Sequence, residues 1–184
     1  MSNTSKKAII LSVLFSIAIY SANAMAIFEV GFTGSQNSLR VFKQRLAEIE
    51  NDGTIGESFF KSYASSTNQL QQFKRRMQEF GNDKTIDEEY LAVYAGSSHS
   101  LQQFKRRIQE FERDNTIDDG FLFAYLWSNH TLQQFKRRIQ EFADDGSLDE
   151  AYIINYVGST YSLPQFKRRV QEFVNDRSLN QYYL

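Results

Sequence analysis

The stretch LQQFKRRIQEF occupies residues 101–111 and occurs again, unchanged, at residues 132–142. Close variants of it begin at Leu39, Leu70 and Leu163. The five opening leucines are each 31 residues apart without an insertion, and so strict a period is the signature of a repeat architecture. Four units of 31 residues are complete, and a fifth runs for 22 residues.

The first half of each unit has the pattern of an amphipathic helix, here called helix A. With the opening leucine as position 1, apolar side chains fall at positions 1, 4, 8 and 11, as in Leu132, Phe135 and Ile139. This spacing places them on one narrow stripe of a helix. Thr131, just before the leucine, and Gln134, three residues later, have the spacing of a capping box. The third and fifth units have similar pairs at the start of helix A. Helix A is therefore predicted to begin at the leucine.

The second half of each unit predicts another helix, helix B. Position 16 is always Thr or Ser, and position 19 is always an acid or its amide, as in Thr85 and Glu88. We interpret these pairs as five capping boxes that mark the start of helix B. Its apolar positions 17, 21, 22 and 25 cover a wider arc than those of helix A, so helix B is expected to be the more buried.

These patterns predict the fold class and the domain organisation. The chain is expected to be all-α, an α-solenoid of five 31-residue helix-turn-helix repeats over residues 39–184, with the last repeat truncated. One unit cannot bury enough apolar surface to order itself, so neighbouring units must share their cores. Residues 25–38 are expected to form a short N-terminal cap.

Residues 1–24 have the pattern of a secretory signal peptide. Lys6 and Lys7 precede a thirteen-residue apolar run, and small residues follow. Cleavage is predicted after Ala24, with Ala26 as the second choice, and an uncleaved anchor is the alternative. The protein is therefore expected to be exported, to a bacterial periplasm or to the medium, without stable membrane insertion after cleavage.

Charge and composition exclude several function classes. Loss of the two leader lysines changes the net charge from −1 to about −3, and a net negative charge argues against wholesale nucleic-acid binding. The chain has no cysteine, which excludes a disulfide scaffold and a cysteine nucleophile. We predict no catalytic activity and no cofactor.

Three consecutive cations at positions 5, 6 and 7 of helix A are the candidate binding feature. On a helical wheel, position 6 points away from the apolar stripe, and positions 5 and 7 lie on its flanks. Stacked units would align the outward arginines into a ridge that binds a protein or an anionic polymer. The predicted binding residues are Arg75, Arg106, Arg137 and Arg168, with Lys74, Lys105, Lys136 and Lys167.

Three other interpretations of the repeat remain open. The cations can form an ordinary solvated face in which arginine pairs with the glutamate at position 10. A secreted precursor could be processed at the repeated dibasic sites. The apolar end Tyr182–Leu184, with no next helix to cover it, suggests end-to-end assembly into a homo-oligomer.

Metal and modification sites have weak support in the sequence. The loops between helices A and B resemble half of an EF-hand, but an aromatic residue such as Tyr90 stands where the bidentate glutamate is required. His99 and His130 occupy the same loop position in successive units and could share a metal, although a polar loop role is favoured. Asn129 is a glycosylation acceptor only in a eukaryotic host.

Overall fold

The computed structural model describes residues 31–179 and Tyr183. This part of the chain contains helices and turns and no strand. The predicted signal peptide and both cleavage sites lie outside the described residues. Among the helices that are described, none has the length and apolar character needed to cross a bilayer.

Long and short helices alternate along the chain. The long helices are α1 (Leu39–Asp52), α3 (Leu70–Asn82), α5 (Leu101–Glu112), α7 (Leu132–Asp145) and α9 (Leu163–Asn175). The short helices are α2 (Phe60–Ser65), α4 (Leu91–Gly96), α6 (Leu122–Trp127) and α8 (Ile153–Gly158). Each short helix continues directly from a 3₁₀ turn, and these turns are Glu57–Phe59, Glu88–Tyr90, Asp119–Phe121 and Glu150–Tyr152. A further 3₁₀ turn, Phe32–Gly34, precedes α1.

The long helices are the predicted A helices, and their start points are confirmed. The side chain of Thr131 accepts a hydrogen bond from the backbone N–H of Gln134, and the side chain of Gln134 accepts one from the backbone N–H of Thr131. The same box caps α5 at Ser100. The phenylalanines at positions 4 and 11, such as Phe135 and Phe142, are buried. Capping and the apolar stripe together therefore define helix A.

The start of helix B is a correction to the sequence analysis. The threonine at position 16 does not cap the helix, because its hydroxyl and backbone N–H both bond to the aspartate two residues earlier, as Thr116 does with Asp114. In the second, third and fourth units the aspartate at position 18 is the actual cap: the side chain of Asp118 accepts a hydrogen bond from the N–H of Gly120. The first unit has Gly56 there and no side-chain cap. Helix B therefore begins two residues later, with a 3₁₀ turn.

The helices are arranged in two layers. Each short helix contacts the next short helix along the chain, and each of the first four long helices contacts the short helix that follows it. The short helices thus form the inner layer, and the tyrosines at position 25 are fully buried there, namely Tyr63, Tyr94, Tyr125 and Tyr156. The prediction that helix B is more buried than helix A is confirmed.

The two ends of the array are in contact with each other. The 3₁₀ turn Phe32–Gly34 contacts α2 on one side and α8 and α9 on the other. The Phe32 ring stacks on Phe173 with centroids 6.1 Å apart, and it meets Phe42 edge-on at 5.7 Å. The backbone N–H of Gly31 donates to Asn155 Oδ1 at 3.1 Å. The described helices are thus all-α and packed in a repeat-like pattern, as predicted, and they form a closed circuit of contacts that the predicted α-solenoid did not include.

The contacts that close the circuit repeat those found inside it. Lys43 in α1 pairs with Asp176 after α9, as Lys74 pairs with Asp52 at 2.6 Å. Tyr183 packs edge-on against Phe42, with ring centroids 6.2 Å apart. The apolar C-terminal end, which suggested end-to-end assembly, is therefore covered at Tyr183 by the chain itself.

Candidate functional site

The lysine at position 5 joins neighbouring units. Its ammonium group forms an ion pair with the aspartate at position 14 of the preceding unit, for example between Lys167 and Asp145 at 2.7 Å. The same carboxylate accepts the hydroxyl and N–H of the residue at position 16, so it is held in place. The bond to Lys105, and then that to Thr85, lowers the pKa of Asp83 to about 2. Of the predicted binding residues, Lys74, Lys105, Lys136 and Lys167 all form this pair.

The arginine at position 7 closes the C-terminal end of helix B. The guanidinium of Arg138 donates to the backbone carbonyls of Tyr156 at 2.6 Å and Tyr161 at 2.8 Å, and to Ser159 Oγ at 3.1 Å. It also lies 4.1 Å from the centre of the Tyr156 ring. Burial lowers the pKa of the Arg138 side chain from its usual value. This arginine is therefore a structural cap.

The arginine at position 6 is the exposed member of the three. Among the described residues, Arg75, Arg106, Arg137 and Arg168 form no ion pair within 4.0 Å. In the first four units the glutamate at position 10, which the solvated-face interpretation paired with them, instead accepts a hydrogen bond from the buried tyrosine of its own unit, as Glu79 does from Tyr94. Position 6 is arginine in the second to fifth units, and Gln44 occupies it in the first.

The two histidines bridge neighbouring units in the loops after helix B. His99 Nε2 lies 2.8 Å from the carbonyl oxygen of Ser128, and His130 Nε2 lies 2.7 Å from that of Ser159. Each Nε2 must carry a hydrogen to donate to its carbonyl. Burial is the main cause that lowers the pKa of His99. The described residues contain no group of three or more His, Cys, Asp or Glu side chains that could hold a metal ion.

A cavity of about 190 Å³ lies where the C-terminal ends of the short helices meet. Every unit contributes to it at two equivalent positions, 31 residues apart. The first position is occupied by Gly34, Ser65, Gly96, Trp127 and Gly158. The second is occupied by the exposed residues Gln36, Thr67, Ser98, Asn129 and Thr160. The 3₁₀ turn that closes the circuit thus also completes the cavity wall.

The end of the molecule around this cavity is polar but uncharged. The connections from helix B to helix A are residues 34–38, 65–69, 96–100, 127–131 and 158–162, and none contains Asp, Glu, Lys or Arg. The connections from helix A to helix B, in contrast, are rich in acids such as Asp87, Glu88 and Asp149. The residues of these five loops therefore carry no formal charge when the histidines are neutral, and the nearest cations are the position-7 arginines, which bond to the cavity wall from behind, as Arg76 does to Ser97 Oγ at 3.2 Å.

Trp127 is the only tryptophan of the chain, and it lines the cavity at a position where the other units have Gly or Ser. Its indole ring packs so closely on Gly96 that a Cβ at that position would lie 2.6 Å from Cη2 of the ring. Gly96 thus leaves the space that the indole occupies.

The sequence patterns did not predict this cavity. Its polar residues come from five separate loops and have no apolar periodicity. The available signal was the alignment of the units, which places an uncharged polar residue at position 29 each time, and the single tryptophan two residues earlier in one unit. No known protein family, no curated protein and no solved structure matches the chain.

Proposed function

We propose that this protein is an exported, non-catalytic helical-repeat binding module that recognises an anionic polymer through its outward arginines. We further infer that it is a ring of five 31-residue units, in which residues 30–38 supply the last nine positions of the fifth. The observation that carries the binding proposal is the contrast within the three cations. The lysine at position 5 and the arginine at position 7 bond to other parts of the chain. The position-6 arginines are exposed and have no ion-pair partner among the described residues, namely Arg75, Arg106, Arg137 and Arg168.

Because the helices close into a ring, the partner is expected to be flexible and not straight. Five equal units around a ring turn successive arginines by about 72°, so they do not form one straight ridge. A flat surface would reach one or two of them, and a flexible chain that bends around the rim would reach more. A flexible anionic polymer, such as an acidic glycan or an acidic disordered protein segment, therefore fits better than a rigid partner.

The test uses two matched quadruple variants and heparin as the anionic probe. Replacing Arg75, Arg106, Arg137 and Arg168 by Gln is expected to leave the melting temperature nearly unchanged, because exposed charges contribute under about 1 kcal/mol each. Heparin affinity and its salt dependence should both fall, because several charges act together. The measurement is calorimetric titration at two salt concentrations.

The control replaces Lys74, Lys105, Lys136 and Lys167 by Ala. It removes the same formal charge, but it breaks the ion pairs between units, so the melting temperature should fall. Heparin binding that is equal in the arginine variant and the unmodified protein would exclude the proposed surface and leave the arginines as an ordinary solvated face.

A further inference from the structure

We propose that the cavity at the centre of the ring binds a small neutral polyhydroxylated ligand, of the size of one sugar ring. The proposal is independent of the outward arginines, which lie on the outer layer of helices. It depends on the shape, the polarity and the aromatic residue of the cavity, taken together.

The size of the cavity favours a small ligand. The cavity volume is about 190 Å³. It lies below the range of about 300 to 1,000 Å³ that is typical of pockets for drug-sized molecules. A single sugar ring or a cyclic polyol is the class of metabolite that this volume admits.

The side chains at the rim have the right chemistry for hydroxyl groups. Thr67, Thr160 and Gln36 have no hydrogen-bond partner among the described residues, and Asn129 shows only the bond that its Oδ1 accepts from Ser98 Oγ at 2.7 Å. Hydroxyl and amide groups both donate and accept, as sugar hydroxyls do. No Asp, Glu, Lys or Arg lines the cavity, and the guanidinium groups behind its wall already donate to the loops, as Arg76 does to the carbonyl of His99 at 2.7 Å, so an ionised ligand would find no free counter-charge there.

Trp127 supplies the apolar contact that such a ligand needs. An indole combines a large apolar face with little conformational freedom, and its half-buried position on Gly96 fixes the orientation of the ring. The C–H groups of a sugar ring can pack on that face, and its hydroxyls can reach the polar side chains of the other units. Pockets that combine one aromatic surface with a few convergent polar groups are typical of small-molecule sites.

The cavity contains its own reporter, because all tryptophan emission of the mature chain comes from Trp127. Glucose, galactose, N-acetylglucosamine and inositol are titrated against the full mature protein while that emission is recorded. Glucuronate is the charged probe. At least one neutral probe should give a saturable change with a Kd on the order of 1 mM, the range expected for so small a ligand in an open pocket. Glucuronate should bind at least about tenfold more weakly.

Variants at the rim separate specific binding from general quenching. Asn129→Ala combined with Thr160→Val should weaken binding about tenfold or more, since two hydrogen-bonding groups are lost and both side chains are exposed. Gln109→Ala, at an exposed position of α5 outside both proposed binding surfaces, should bind with unchanged affinity. Gly96→Ala should displace the indole, shift the emission maximum and reduce binding.

Calorimetry on the same proteins gives a second measurement that does not depend on fluorescence. The proposal is overturned if no neutral probe gives a saturable signal up to about 100 mM, far above the expected range. It is equally overturned if the rim variant binds as well as the unmodified protein, or if glucuronate binds more tightly than every neutral probe.

Discussion

At the scale of single residues, three adjacent cations have three different roles. The side chain of Lys136 reaches back to Asp114 of the preceding unit, that of Arg137 faces solvent, and that of Arg138 turns inward. Only 100° separates successive positions on a helix, so consecutive residues necessarily meet different surroundings. A repeated motif of like charges is therefore not a single functional patch in this protein.

The two histidines make the stability of the protein dependent on pH. Burial, and the nearby Arg107 and Arg76, lower the pKa of His99, although its bond to Ser128 opposes this shift. Its folded-state pKa is thus below the usual value near 6.5, and the unfolded chain binds more protons as the pH falls through that value. The free energy of unfolding should therefore decrease as the pH is lowered from 7.5 to 5.5. Urea unfolding across this range measures the effect.

The control for the histidine prediction comes from the protein itself. Asn68 occupies the equivalent position, and its Nδ2 donates to the carbonyls of Ala95 at 2.9 Å and Ser97 at 3.1 Å. The double variant His99→Asn with His130→Asn should therefore fold and show a flatter pH dependence. The aspartates that pair with lysine do not interfere, because their lowered pKa values place their titration well below pH 5.5. An unchanged slope in the double variant would contradict this prediction.

At the scale of the helices, the short inner helices depend on groups outside themselves. A six-residue helix is too short to be stable alone, and its last carbonyls have no partner within the helix. In α6 the carbonyl of Tyr125 accepts from Arg107, which also donates to the carbonyl of His130 at 3.0 Å. The arginine from helix A thus terminates helix B and fixes the angle between them.

Replacing Arg107 by Lys tests this capping role. Lysine keeps the charge but cannot stack on Tyr125 and bond to several carbonyls at once. The carbonyl of His130 then loses its donor, and that of Tyr125 keeps only its bonds from Ser128. The free energy of unfolding should fall by about 2 to 3 kcal/mol. The matched control is Arg106→Lys, one residue earlier and exposed, which should change it by less than about 0.5 kcal/mol. Equal effects of the two substitutions in urea unfolding would refute the assignment.

At the scale of the whole molecule, the register of the repeat accounts for the closure. Residues 163–184 are the first 22 positions of a unit, and residues 30–38 align in sequence with the last nine, which is the register that the proposed ring of five units requires. Arg169 confirms the match: it donates to the carbonyl of Phe32 at 2.7 Å, as Arg138 does to that of Tyr156. The two parts of this unit are separated by the length of the chain, and only folding brings them together.

A circular permutant tests whether the five units are equivalent. Leu184 is joined directly to Val30, residues before Val30 are omitted, and new termini are placed between Leu91 and Ala92, at the position where the native fifth unit is divided. The permutant should fold with the same helical content and a single cooperative transition, because it retains every inter-unit contact. Circular dichroism and thermal melting provide the measurement.

The companion variant in this experiment is the permutant that also lacks residues 31–37. It loses the contacts of Phe32 with Phe42 and Phe173 and the acceptors of Arg169, so its melting temperature should be much lower. If both permutants melted like the unmodified chain, the contacts between the two ends would contribute nothing to stability. The proposal that the closed ring folds as one cooperative unit would then be wrong.

The sequence alone determined the local structure. The period of 31, the apolar stripe of helix A and its capping residues, such as Thr131 and Gln134, act over one or two turns of helix, and the pattern shows them directly. The greater burial of helix B also followed from the width of its apolar arc. These features depend on residues a few positions apart in the chain, so the sequence pattern is sufficient to predict them.

Only the tertiary structure decided the features that join distant residues. Thr116 has the spacing of a helix cap, but its hydroxyl donates to the carboxylate of Asp114 instead. That carboxylate also forms the ion pair with Lys136 of the next unit, a contact that the local pattern does not show. Closure depends on the rotation between units, which accumulates around the array and has no local signal. The cavity exists for the same reason: its polar residues are individually unremarkable in sequence, and they face one another only because five equivalent loops are brought around one centre.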